Sequence, residues 1–403
     1  MVRENKLEIR KLTEKDRLAY RKICRYAFSA SENNYEKLDW PPDDMPINRF
    51  YGAFDNNVLI AGSGIIPFEI KVRSKTFKMG GVDGVATKPE FRNRGVIREI
   101  FKQIYQDLYK NKIPISVLYP FKISYYEKLG YAVVNEEILY HFEISSIIDK
   151  KSNYFMKEVE DINEDIKHVY DEIINKYDYI AKRSEIQWKD LIKSNYKFIC
   201  YDKDRPVGYI FLHFPKKDAQ WMKQVDHIEN TIYIRETFWL NQSAKQTIFN
   251  FLWSHRDQRK YIAGAFPVNE NIIGLLNNPR ILAREIHPNS MLRIIDVKTI
   301  LESLNYSISD FSISIRVHDK DCPWNNSNFL LTSDNKIINV KFEENKEEPI
   351  DLEIDINHFA QLLVGFRTID DLLEYDFVTI NKKKLELIKK LFPFTSSNFS
   401  DFF

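Results

Sequence analysis

The sequence predicts a multidomain protein of mixed α+β and α/β character, with mixed sheets flanked by helices, and three observations carry that prediction. An apolar strand passes into an amphipathic helix and then a second buried strand between Val82 and Pro120. The strand-and-helix order recurs in weaker form in TIYIRETFWLNQSAKQTIFNFLWSH, Thr231 to His255. From about Asn289 the pattern changes to alternating strands with short helices. Such a succession in 403 residues describes two or three domains, each with its own core.

Taken in order, LEIRKL (Leu7 to Leu12) alternates as a strand does, and TEKD puts Thr13 and Asp16 in capping-box positions before an amphipathic run to about Phe28. FYGAFD, the DNN turn at Asp55 to Asn57, VLIAGSGIIPFEIKV, a turn near Arg73 to Lys75 and FKMGGVDGVAT describe an antiparallel meander. Beyond Gly95, residues Ile97, Ile100, Phe101, Ile104, Tyr105 and Leu108 share one helical face, the spacing of a helix packed on a sheet. IPISVLYP, Ile113 to Pro120, is apolar throughout and reads as a buried strand parallel to the one before the helix. Lys197 to Phe214 echoes the turn and strand of Tyr51 to Ile66, which makes the middle of the chain a degenerate repeat of its first part. Its helix entry, WLNQSAKQ, has neither glycine nor an arginine pair, so it should not cradle phosphates. MLRIIDVKTILESL, FSISIRVHD, KIINVKFEE and PIDLEIDIN then form a third, α+β unit. The expected domains are 1–150, 151–288 and 289–403.

Composition narrows the function. Lys+Arg 59 against Asp+Glu 58 leaves a formal charge of +1, no global field for nucleic acid or an anionic membrane. The N-terminal charges precede no apolar run, and no stretch approaches about 18 uninterrupted apolar residues, so a cytoplasmic protein without a membrane span is expected. Cys24, Cys200 and Cys322 are far apart and odd in number, which suits reduced, buried thiols. The histidines show neither HxxxH nor HExxH spacing, and no metal is expected.

The chemistry gathers in VDGVATKPEFRNRGVIREIFKQI, Val82 to Ile104. A strand ending at Val85, Ala86 and Thr87 can splay from its neighbour and leave backbone groups free, and Pro89 stops further pairing. The helix starting near Gly95 then offers unpaired N–H groups and the positive end of its dipole. Gly95 admits a pyrophosphate closely, and Arg92, Arg94 and Arg98 add charge. There is no GxxxxGK[ST], and GGVDG does not open a helix as GxGxxG does, so nucleoside triphosphate and nicotinamide sites lose support. After LYP comes FKISYYEKLGYAVV, Phe121 to Val134, a short helix presenting Tyr126.

In this company the sequence resembles the GNAT acetyltransferases, whose R/QxxGxG/A loop grips the coenzyme A pyrophosphate and whose FYxKxGF-like helix places a tyrosine beside the thioester sulfur. The matching loop is Arg92, Asn93, Arg94, Gly95, Val96 and Ile97, departing from the pattern at Ile97, where the family has a small residue. VATKPEFRNRGVIRE, LYPF, YYEKLGY, the CPWN at Cys322 to Asn325 and a chain ending in an aromatic residue look like the Eis-type (enhanced intracellular survival) N-acetyltransferases. That resemblance spans essentially the whole chain and is strongest from Val82 to Val134. It implies two GNAT-like domains, the second degenerate, and a C-terminal sterol carrier protein-like α+β domain. It further implies acetyl-CoA as co-substrate, a hexamer, and a polyamine or aminoglycoside acceptor.

Amine acetylation needs a proton acceptor, a polarised carbonyl and a proton donor for the departing thiolate. The N–H groups of Val85, Ala86 and Thr87 suit the carbonyl, with Arg98, Phe121 and Lys122 added to the coenzyme contacts. The resemblance makes Tyr126 the acid and the α-carboxylate of Phe403 the base. FPFTSSNFSDFF, five phenylalanines in twelve residues, is too apolar for a solvated tail. Asp401, Glu32 and Glu36 could add negative charge for a polycation. Protein lysine or peptide amines are alternative acceptors, and from another class a lipid-binding module with a vestigial transferase is the competing reading.

Overall fold

The structure, a computed structural model, describes residues 7–28, 40–185, 187–188, 196–214, 230–281, 283–343 and 349–395. Glu32, Glu36, Asp401 and Phe403 lie outside the described residues. The chain divides into two compact units, one combining residues 1–134 with 290–395, the other formed by 135–289.

In the first unit, strands β1 (Glu8–Lys11), β2 (Phe50–Asp55), β3 (Val58–Val72) and β4 (Lys75–Thr87) form the expected antiparallel meander. β5 (Ile115–Leu118) pairs parallel with β4, and β6 (Ala132–Val133) lies further out. Alternation along β2 sends Phe50 and Phe54 to one face and Tyr51 and Ala53 to the other. Helix α1 (Arg17–Phe28) covers the first face with Tyr20, Ile23 and Cys24. Helix α2 (Val96–Lys110) covers the second with Ile97, Ile100, Phe101, Ile104, Tyr105 and Leu108, the stripe read from the sequence. Each such side chain, fully buried, contributes about 1.5–3 kcal/mol.

One strand departs from the sequence reading. Met291–Ile294, read as the start of the third unit, pairs antiparallel with both β5 and β6 and completes the first sheet. Glu136–Glu143, within the stretch 1–150, pairs instead with Tyr261–Pro267 in the second sheet. The physical reason is the edge of β5: once the chain leaves at Val134, its outer ladder groups need a partner, and MLRI supplies one.

The rest of this unit is a five-stranded sheet in the order Ile337–Glu343, Asn328–Asp334, Phe311–His318, Leu352–Asp355, Val378–Ile380, with helices including Val297–Ser303, Ile356–Val364 and Leu385–Leu391. The second unit carries a seven-stranded sheet. In it Thr231–Trp239, the helix Gln242–Trp253 and Tyr261–Pro267 repeat the order of β4, α2 and β5, again with a parallel pairing. The three cysteines are buried and free, and among the described residues no helix is long and apolar enough to cross a membrane.

Candidate active site

β4 and β5 pair only from Met79, Gly80 and Gly81 to Ile115, Ser116 and Val117. Beyond that point β4 runs on to Thr87 held by β3 alone, so the edges of Val85, Ala86 and Thr87 that would face β5 are left without a strand partner. A bulge accompanies the parting. The register against β3 shifts between Gly62 and Gly64, and Gly84 takes φ +62°, a left-handed conformation suited to glycine. The Tyr20 hydroxyl donates to the Gly84 carbonyl and braces the bulge from α1.

The loop after β4 carries the arginines. Gly95 is the N-cap of α2 at φ +75°, no side chain caps the helix start, and a Cβ on it would meet nothing within 4 Å. Its amide-lined approach is open, as a bound pyrophosphate requires. Arg92, Asn93 and Arg94 are exposed around it. Arg92 lies 5.7 Å over the Tyr26 ring and Arg94 5.1 Å over Phe91, and neither has a carboxylate partner among the described residues. Val96 and Ile97 turn inward to the core beneath. Arg98 is placed differently: it donates to the Lys128 carbonyl and, at 3.1 Å, to Asp321, so its charge is already engaged within the chain.

Helix α3 (Ile123–Glu127) follows β5, with exposed Phe121 and Lys122 at its entrance. Tyr126 is buried among Tyr125, Phe121, Tyr131 and Phe101, ring centroids 5.2 to 6.4 Å away. Its hydroxyl makes no hydrogen bond to another described residue. Burial first, then the nearby Tyr125, Tyr131 and Asp83, push its pKa up, keeping the hydroxyl protonated and able to donate. Gly130 ends the turn at φ +80°, where a Cβ would lie 1.4 Å from Arg293 Nη1. Arg293 is fully buried, donates to the Leu129 carbonyl (2.9 Å), Asp319 (2.7 Å) and Cys322 Sγ (3.0 Å), and lies 4.3 Å over Tyr105. The glycine and the CPWN stretch read from the sequence thus belong to one strut behind α3.

Sequence reasoning missed Asp83, the one acid in the apolar middle of β4, where an alternating strand should have drawn attention to it. Burial raises its pKa from the ordinary 3.8 to about 6, against the Gly84 amide and the Trp40 indole, which lower it.

The corresponding place in the second unit is closed by its own chain. Asn241 caps the helix start, its side chain accepting from the Ala244 amide at 2.9 Å, and Lys245 is held by Glu270 and the Asn271 carbonyl.

Comparison with known proteins agrees with this arrangement. Residues 8–134 and 180–294 each match a family of acetyltransferase (GNAT) domains, and 297–399 match a sterol carrier protein domain. No curated protein matches the chain by sequence. Similar solved structures include a GCN5-related N-acetyltransferase from Anabaena variabilis ATCC 29413, with TM-score 0.86 and 21% identity over 99% of this chain and 100% of that one. Another GCN5-related N-acetyltransferase, from Kribbella flavida, gives 0.80 and 14% over 99% and 98%. Eis1 from Mycobacterium abscessus gives 0.78 and 17% over 99% and 100%. The strand gap, the uncapped α2 and these matches together make the chain an acetyl-transferring enzyme of the GNAT family, whose fold follows the Eis-type plan.

Proposed function

We propose that the protein acetylates primary amines of a polyamine or aminoglycoside-like acceptor, with acetyl-CoA supplying the acetyl group as a thioester. The observation that carries this reading is the pairing of an open strand edge at Val85, Ala86 and Thr87 with an uncapped, glycine-led helix start beside Arg92 and Arg94. In it Arg92, Asn93, Arg94, Gly95, Val96 and Ile97 hold the pyrophosphate through charge and backbone N–H groups, and Phe121 and Lys122 flank the entrance. Arg98, paired with Asp321, adds its charge at the same loop. The free amides of β4 orient the thioester carbonyl, and Tyr126 Oη donates the proton on the leaving side. The base we assign is the Phe403 α-carboxylate, supported by the Eis-type resemblance and the apolar tail that precedes it. A hexamer and a cytoplasmic location complete the proposal on the same resemblance.

Incubating the protein with acetyl-CoA and a panel of polyamines and aminoglycosides should release free thiol. Arg94→Glu should weaken acetyl-CoA binding by about 1.5–3 kcal/mol in calorimetry, the scale of a charge-assisted hydrogen bond. Unchanged affinity would reject the phosphate assignment.

A further inference from the structure

The two repeats each carry one carboxylate at the same place in the strand gap. In the second repeat the last parallel pair is Ile234 with Gly264, and Glu236 stands two residues beyond it. In the first the last pair is Gly81 with Val117, and Asp83 stands two residues beyond. Both strands bulge close by. Each acid is near a tyrosine of the helix that opens its repeat and a tryptophan that follows that helix.

What meets the carboxylate differs. Glu236 is paired bidentately with Arg183 at 2.9 and 2.6 Å, and Tyr209 donates to it at 2.6 Å. The guanidinium lies 4.1 Å over Tyr170 and 4.7 Å over Trp188, an organic cation held between a buried acid and two aromatic faces. Burial works against the charge on Glu236, yet Arg183 wins and its pKa is lowered. Asp83 has Tyr20 and Trp40 around it. A Cβ on Gly84 would lie 2.5 Å from Tyr20 Oη and 3.5 Å from Trp40 Nε1, which locates the hydroxyl and the indole N–H at the bulge. Asp83 Oδ2 and Trp40 Nε1 are buried atoms with no hydrogen-bond partner among the described residues, although both residues reach solvent in part. The titratable neighbours are Tyr20 and Cys24 from α1 and Tyr126 from α3. The two buried arginines of α1 are committed elsewhere, Arg17 to Glu14 and the Pro42 and Met45 carbonyls, Arg21 to Asp43 and the Pro41 carbonyl. No described side chain supplies the cation that Arg183 supplies in the other repeat.

We propose that Asp83, between Tyr20 and Trp40, is the subsite that takes an alkylammonium group of the acceptor, in the position Arg183 holds in the second repeat. It deepens the acetyl-transfer reading and rests on it for the identity of the cation as an acceptor amine. The Asp83 carboxylate has the Gly84 amide and the Trp40 indole near it but no cation, and an ammonium ion placed against Oδ2 adds the Coulomb attraction and a hydrogen bond that this oxygen lacks.

The test uses the full chain and two probes, butylammonium and the neutral isostere butanol, followed by saturation-transfer NMR. The wild type should bind butylammonium in preference to butanol, and binding should weaken as pH falls through about 6, where Asp83 takes a proton. Asp83→Asn, with its fold checked by circular dichroism and thermal melting, should lose at least tenfold in butylammonium affinity. In the thiol-release assay it should raise KM for spermidine at least tenfold with the KM for acetyl-CoA unchanged. Equal butylammonium binding by wild type and folded Asp83→Asn, or no preference over butanol, overturns the proposal. If the variant does not fold, the wild-type pH dependence and its preference over butanol still decide. Asp83-dependent binding without thiol release for any amine would reject the transferase reading and leave the subsite standing. Thiol release with an unaltered spermidine KM in Asp83→Asn would do the reverse.

Discussion

Tyr126 and Asp83 show how a single buried group is held ready at a cost. The Tyr126 hydroxyl stays a donor because burial opposes its ionisation. Tyr126→Phe removes that oxygen alone, so acetyl-CoA affinity and melting temperature should survive while kcat falls by roughly a hundredfold or more, the scale of a lost general acid. Equal kcat would move the acid elsewhere. Asp83 makes a separate prediction through stability. Its folded pKa of about 6 lies above the ordinary 3.8, so the folded chain holds this proton more tightly than the unfolded one. That contribution is complete below about pH 4 and lost as pH rises through 6. Asp83→Asn should therefore be more stable to unfolding than wild type at pH 8, by up to about 2 kcal/mol after allowing for partial solvation, with the advantage gone near pH 4. A variant less stable at pH 8 than at pH 4, relative to wild type, would contradict this. A carboxylate kept at such a cost is the pattern of a working site.

At the scale of elements, helix starts distinguish the two repeats. α2 opens on a left-handed glycine with no side-chain cap, whereas Gln242–Trp253 opens on Asn241, which satisfies its own first turn. Gly95→Ala meets no clash, yet it places a Cβ at φ +75° and should cost about 1 kcal/mol in thermal melting while weakening acetyl-CoA binding. Wild-type melting and affinity would show the loop tolerant of another geometry. Much of this was legible in the sequence. The α2 stripe, the meander and the blank second helix start follow from periodicity and turn residues, which are local signals. Met291–Ile294 was not legible, because a strand of only four residues carries no record of which sheet will take it. The Arg98 contact with Asp321 spans 223 positions and left no local trace. Asp83 was visible as a lone acid among apolar neighbours, but its meaning needed the comparison with Glu236 and Arg183.

For the whole molecule, the proposed base at Phe403 makes the position of a terminal charge part of the active site. A short C-terminal extension replaces that carboxylate by a neutral peptide bond, and deleting Phe403 draws it back by up to about 3.5 Å. Both changes should strongly reduce turnover with acetyl-CoA affinity near wild type, and an N-terminal extension should do neither. Full activity with a C-terminal extension would return the base to a side chain. The strand Met291–Ile294 has a bearing on how the protein is made. Its place between β5 and β6 means that the first sheet cannot close until the ribosome has delivered residue 294, long after residue 133 has emerged. At about 5–20 residues per second the wait is roughly 8 to 30 s, during which the outer edge of β5 has no native partner. The catalytic unit is thus begun first and finished late, and newly made chains pass through a window in which an exposed strand edge invites chaperones or neighbouring chains.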